Sequence, residues 1–214
     1  MIVTIDGPAG SGKSTVSRLL AERLGVRFLD TGAMYRAVTL AVLRANVAPD
    51  HEVSVARIAS SVELEFRDHC LLMNGEDVSQ AIRSPEVSAV SSVVASQPAV
   101  RNRLVELQKA IGQQGSLVTE GRDQGSVVFP NAEFKFFLTA DLDARAHRRQ
   151  AELLSRGGDV PLEQVREEIR DRDYRDETRA VAPLKPAADA VLIDTSPMTI
   201  PQVVEEMLRI IWKK

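Results

Sequence analysis

The octapeptide Gly7-Pro8-Ala9-Gly10-Ser11-Gly12-Lys13-Ser14 follows the apolar run Ile2-Val3-Thr4-Ile5 and precedes Val16, Leu19, Leu20 and Leu24 at helical spacing. Strand, glycine-rich turn and helix in that order imply a sheet whose helix returns across its face. Gly25, just past the last apolar position, suits a left-handed helix end. The octapeptide satisfies G-x-x-x-x-G-K-[ST] in the setting that motif requires. Its glycines let successive N–H groups point inward at phosphate oxygens, and the following helix adds its positive end. Gly7, Pro8, Ala9, Gly10, Ser11, Gly12, Lys13, Ser14 and Thr15 are therefore expected to cradle ATP, with Lys13 on the β- and γ-phosphates and Ser14 on Mg²⁺. A turn that merely joins strand to helix, with Lys13 solvated, is the competing reading.

The rest of the chain alternates apolar runs with helical periodicity. Strands are expected over 26–29, 117–119, 134–138 and 190–193, the last two as apolar runs buried in a parallel sheet. Helices are expected over 33–44, 53–61, 85–95, 100–113, 144–154, 162–174 or beyond, and 202–211. Val62-Glu63-Leu64-Glu65-Phe66 alternates apolar and charged residues. Arg67-Asp68-His69 would turn the chain, and 70–73 would return as a second strand before Asn74-Gly75. Gly157-Gly158 separates two arginine-rich helices that need not lie flat on the sheet and would make a mobile flap. The fold class is α/β, with about five parallel strands flanked by helices.

Composition narrows the function. With 27 lysines and arginines against 30 acids, the formal charge is −3, and only nine residues are aromatic (six Phe, two Tyr, one Trp). A general nucleic-acid binder wants a basic stripe and stacking platforms instead. Cys70 is the only cysteine, which excludes an internal disulfide and a cysteine-rich zinc site. His51, His69 and His147 are too scattered for a His-based metal site and are expected at the surface without a role. No stretch reaches the ~18 apolar residues of a spanning helix, and the chain begins without a basic flank and long apolar core. The expectation is a cytoplasmic monomer without nucleic-acid or membrane partners. No Asn-Lys-x-Asp or Thr-Lys-x-Asp is present to read guanine, and no long apolar strand ends in adjacent acids. A small kinase remains.

Transfer between two anions needs cations that grip both, and arginine's planar fork suits phosphate. Asp30-Thr31-Gly32-Ala33-Met34-Tyr35-Arg36 and Glu120-Gly121-Arg122-Asp123-Gln124-Gly125 each follow a strand, at the edge where parallel sheets bind ligands. Either alone is also a reasonable helix cap or surface ion pair. In the 170–179 segment, Arg172, Asp176 and Arg179 stand at i, i+4 and i+7 on one helix face, with Arg175 beside them. That face is either a solvated, ion-paired surface or a grip for phosphate and a ribose hydroxyl.

These pieces together resemble the bacterial cytidylate kinase family, among the phosphate-loop nucleoside monophosphate kinases. The matching residues are Ile5-Asp6-Gly7-Pro8, the phosphate loop, Leu29 to Arg36, Gly121 to Pro130, Arg172 to Arg179, and Ala182-Pro183-Leu184. Thr31 stands where serine is common in the family. The resemblance implies ATP-dependent phosphorylation of CMP or dCMP, with Thr31, Arg36, Ser92, Arg101, Arg122, Asp123, Arg172, Asp176 and Arg179 binding the acceptor. It also implies a monophosphate-binding insert over about 46–99 and a lid over 148–172. Cytosine's exocyclic amine is a donor, which a carboxylate such as Asp123 can accept. Lys13, Arg172 and Arg179 are the leading candidates for stabilising transition-state charge. Arg145 and Arg149, four apart, would contact the adenosine and phosphates or simply form surface ion pairs.

Overall fold

The computed structural model describes residues 1–67, 70–155 and 157–213. The chain divides into two compact units, Met1–Leu29 with Gly115–Lys214, and Asp30–Gln114.

The first unit is built on a five-stranded sheet. Its strands are β1 (Ile2–Asp6), β2 (Arg27–Asp30, which ends at the unit boundary), β6 (Leu117–Gly121), β7 (Phe134–Thr139) and β8 (Val191–Asp194), in the order β2-β6-β1-β7-β8. β1 lies between β6 and β7 and runs parallel to both, with Asp6 opposite Gly121 and Phe137. β7 runs parallel to β8. Burial on both faces of a central strand explains why 134–138, in β7, reads as a mostly apolar run. The expectation that 190–193 is equally buried is corrected. β8 is the edge of the sheet, Val191 and Leu192 face out, and only Ile193 joins the core. An apolar run does not report whether a second neighbour covers it.

α1 (Lys13–Leu24) and α8 (Ile200–Trp212) pack Val16, Leu20, Val203, Val204, Met207 and Leu208 against Val3, Ile5, Val118, Phe136 and Leu138. α1 ends at Gly25, whose φ of 64° is the left-handed conformation its sequence position suggested. α8 opens with a capping box in which Thr199 and Gln202 exchange side-chain and backbone bonds. α6 (Leu142–Ser155) and α7 (Leu162–Thr178) pair through a small cluster of Ala146, Val165 and Ile169.

The second unit carries α2 (Thr31–Arg44), α3 (Glu52–Ser61), α4 (Pro85–Ser96), α5 (Pro98–Gly112) and a three-stranded sheet of β3 (Leu64–Arg67), β4 (Cys70–Met73) and β5 (Glu76–Asp77). β3 and β4 are antiparallel, as the alternation of 62–66 suggests. Asp68 and His69, at the expected turn, lie outside the described residues. β5 is an addition: Asn74 and Gly75 have φ of 51° and 82°, the pattern of a tight hairpin turn that sends the chain back along β4. Ala33, Ala37, Leu40, Leu71, Met73, Val78, Ile82 and Val87 form its core. His51, expected to have no role, caps α3 by accepting from the Ser54 N–H at 3.3 Å. Among the described residues no helix is long and apolar enough to cross a membrane.

Candidate active site

The phosphate loop leaves β1 at Gly7, whose φ is 148°. A Cβ there would stand 2.2 Å from the Leu138 carbonyl oxygen, so only glycine lets the loop cross β7. The loop ends at Gly12, the N-cap of α1. Within it the Ser11 hydroxyl donates to the Pro8 carbonyl at 3.1 Å, and Lys13 Nζ donates to the same oxygen at 2.6 Å. Ser14 Oγ donates to Glu120 Oε1 at 2.8 Å, which joins the start of α1 to the carboxyl end of β6. Thr15 is exposed on the first turn of α1.

Lys13 is only 5% exposed. Burial first, then the neighbouring Arg122 and Arg172 charges, push its pKa down to about 7, against the opposing pull of Glu120 and Asp176. Two arginines and two carboxylates thus act on Lys13 beside the loop, and its burial decides the direction. Asp176 is the hub of that cluster. It binds Arg122 Nε at 2.7 Å, and Arg179 lies 3.8 Å from its other oxygen. Burial works against the Asp176 charge, but Arg122 and Arg172 hold its carboxyl below the ordinary range. Burial likewise opposes the Arg122 charge, and Asp176 and Glu120 hold its pKa above the ordinary guanidinium value.

Two features of the chain build this hub. Arg172 and Asp176 are one turn apart on α7, as their spacing implies. Arg179 is not on the helical face expected of it, because α7 ends at Thr178 and Arg179 is extended, with φ −59° and ψ 143°. It reaches Asp176 through a turn in which its Nε donates to the Ala182 carbonyl at 2.7 Å and Leu184 N–H donates to the Asp176 carbonyl at 2.8 Å. Ala182 holds that carbonyl with a φ of 50°, unusual for a residue with a side chain. Arg175, expected beside the group, is exposed and donates to the Asp171 carbonyl.

Arg122 and Asp123 follow β6 and precede a single wide turn, Gln124–Val128, with bonds from Val128 N–H to the Asp123 carbonyl and from Phe129 N–H to the Gln124 carbonyl. Asp123 is 3% exposed.

In the second unit, Asp30 caps α2 by accepting from Ala33 N–H at 2.8 Å. Its other oxygen faces Arg36 at 3.5 Å and Arg83 at 3.9 Å. Arg36 Nε is buried without a hydrogen-bond partner among the described residues, a donor open to an anion. Thr31 and Arg101 are each 2% exposed, and the Arg101 guanidinium stacks over the Tyr35 ring at 5.7 Å. Ser92 is half-buried on α4.

Arg145 and Arg149 make the ion pairs that their spacing left open. Arg149 binds Glu152 at 2.8 Å, whereas Arg145 binds Asp173 and also donates to the Ala9 carbonyl at 3.2 Å. Asp173 in turn accepts from Ala9 N–H at 3.4 Å. The sequence reading missed this brace on the phosphate loop, the Ser14–Glu120 bond, Arg83 and Asp6. Glu120 carried a signal, an acid closing a buried strand. The others depend on contacts between distant segments or on a short turn without a motif.

A phosphate loop between β1 and α1 of a parallel sheet, with a half-buried arginine cluster around one buried carboxylate nearby, defines the class of phosphate-loop kinases. The same fold occurs in a solved uncharacterized protein from Eubacterium ventriosum, with TM-score 0.56, 12% identity, and 100% and 99% of the two chains covered. It also occurs in shikimate kinase from Acinetobacter baumannii, with TM-score 0.51, 16% identity, and 99% of this chain and 93% of that one covered. The chain belongs to the cytidylate kinase family, whose model matches residues 3–213. It is 51% identical to the cytidylate kinase of Syntrophotalea carbinolica, over 99% of this chain and 92% of that one. To that of Carboxydothermus hydrogenoformans it is 44% identical, over 100% and 98%.

Proposed function

We propose that the protein transfers the γ-phosphoryl group of ATP to CMP and dCMP, giving ADP with CDP or dCDP. An oxygen of the acceptor phosphate attacks the γ-phosphorus in line as the bond to the ADP oxygen breaks. The acceptor is already an anion, so no strong base is needed, and positioning with charge stabilisation carries the rate. The observation that carries this reading is the convergence of Lys13, Arg122, Arg172 and Arg179 on the Asp176 carboxylate beside the phosphate loop, a set of cations suited to phosphate oxygens.

In this reading Gly7 to Thr15 hold the donor phosphates. Thr31, Arg36, Ser92 and Arg101, with Arg122, Asp123, Arg172, Asp176 and Arg179, bind the acceptor. Lys13, Arg172 and Arg179 meet the charge of the transferring group. Asp123 accepts from the cytosine amine. The 46–99 segment is the monophosphate-binding insert and 148–172 the lid. The Ser14 hydroxyl and Glu120 carboxylate are hard oxygens suited to Mg²⁺. Among the described residues no group of three His, Cys, Asp or Glu side chains is placed to hold a metal ion, so most of its ligands would be phosphate and water. Held there, Mg²⁺ would supply positive charge to offset that of the donor phosphates. The enzyme is taken to act as a cytoplasmic monomer.

A coupled assay with CMP, dCMP, UMP and AMP tests the acceptor. CMP and dCMP should be phosphorylated fastest, and Asp123→Ala should raise the KM for CMP at least tenfold while ATP affinity stays within threefold. A preference for AMP, or equal loss for both nucleotides in the variant, would overturn the assignment.

A further inference from the structure

Asp6 ends β1, one residue before the phosphate loop, and is 4% exposed. Its Oδ1 accepts from Gln124 N–H at 2.9 Å and its Oδ2 from Gly125 N–H at 2.8 Å. Those two N–H groups open the wide turn that follows Arg122 and Asp123. The turn is locked from other sides as well. Thr119 Oγ1 donates to Gln124 Oε1 at 2.9 Å, and a Cβ on Gly125 would stand 2.8 Å from Thr4 Oγ1. A carboxylate with one oxygen for each of two consecutive N–H groups fixes both the height and the tilt of a backbone segment. Asp6 is thus covalently next to the donor loop and bonded to the segment that carries Arg122 and Asp123.

We infer that Asp6 is a positioning residue for the acceptor, registering the Arg122–Asp123 segment against the phosphate loop through its two backbone hydrogen bonds. The inference rests on the reading of CMP as acceptor. Burial raises the Asp6 pKa to about 7 in spite of the two N–H bonds, with Asp123 adding to the rise and Lys13 opposing it. A buried carboxylate kept at that cost would otherwise be replaced by an apolar residue with little loss.

Asp6→Asn tests it. The amide keeps the shape but offers one acceptor oxygen and sets an NH₂ against the second N–H. The KM for CMP should rise about tenfold or more, while ADP affinity, measured by titration calorimetry, stays within threefold. Gly125→Ala provides a second route, since its methyl group would push the same segment away from Asp6. It should raise the CMP KM similarly, and adding Thr4→Ala, which removes the obstructing oxygen, should restore it. An unchanged CMP KM in both single variants, or parallel loss of CMP and ADP binding, would overturn the positioning role. Wild-type protein that makes no CDP would instead sink the acceptor reading.

Discussion

Lys13 shows how a single side chain records what its surroundings lack. Its pKa is pushed down to about 7 by burial and by Arg122 and Arg172. Between about pH 7 and the ordinary lysine value of 10.5, the folded chain therefore holds fewer protons at this position than the unfolded chain. The stability gained by keeping Lys13 neutral is whole above 10.5 and is lost as the pH falls through about 7. A triphosphate beside the ammonium reverses the shift. Nucleotide binding at pH 8 should then take up close to one proton, and at pH 6 almost none, since Lys13 is already charged there. Calorimetry in buffers of different ionisation enthalpy measures this directly, with Lys13→Met as the control. Binding enthalpies at pH 8 that are independent of the buffer would mean that Lys13 is charged before nucleotide arrives.

At the scale of elements, what was legible depended on whether the information is local. The helical period of Val16, Leu19, Leu20 and Leu24 ended at Gly25, and α1 does so too, because period and cap are both properties of adjacent residues. The motif similarly located the phosphate loop. β8 misled because burial depends on the strand beyond it, which the residues of β8 do not encode. Arg179 misled because helical spacing was extended past Thr178, where the chain turns and Ala182 takes a left-handed conformation. Asp6 was invisible as a functional residue because its partners, Gln124 and Gly125, are 118 and 119 positions away. The packing of α6 on α7 was not legible either, yet α7 carries Arg172, Asp173 and Asp176. Ile169 is 5% exposed in the small cluster between these helices, so Ile169→Ala should cost about 2–5 kcal/mol by chemical denaturation. A loss below about 0.5 kcal/mol would show that this contact does not hold α7.

For the molecule as a whole, affinity for polyanions trades against the stability of the ligand-free fold. The chain carries a net charge of −3, yet gathers Lys13, Arg122, Arg172 and Arg179 in one partly or fully buried group. Concentrated like charge opposes folding, and each cation is retained against the cost of its own desolvation. A polyanionic ligand that binds the folded chain through these cations should therefore stabilise strongly. At a concentration near 100 times its Kd, ATP should add about 2.7 kcal/mol. For a chain of this length that is a rise in Tm of about 5–10 °C. Lys13→Met separates the two sides of the trade. It removes a strained buried charge while keeping most of the apolar stem, so the ligand-free Tm should be equal to or above that of the parent. The ATP-induced rise should largely disappear, and kcat should fall about 10²–10³-fold, as when one preorganised donor to a developing oxyanion is lost. Differential scanning fluorimetry with and without ATP, run beside the CDP assay, makes the comparison. A variant whose ligand-free Tm drops by several degrees would mean that Lys13 stabilises the resting fold through its bond to Pro8, and that the charge cluster imposes no net cost.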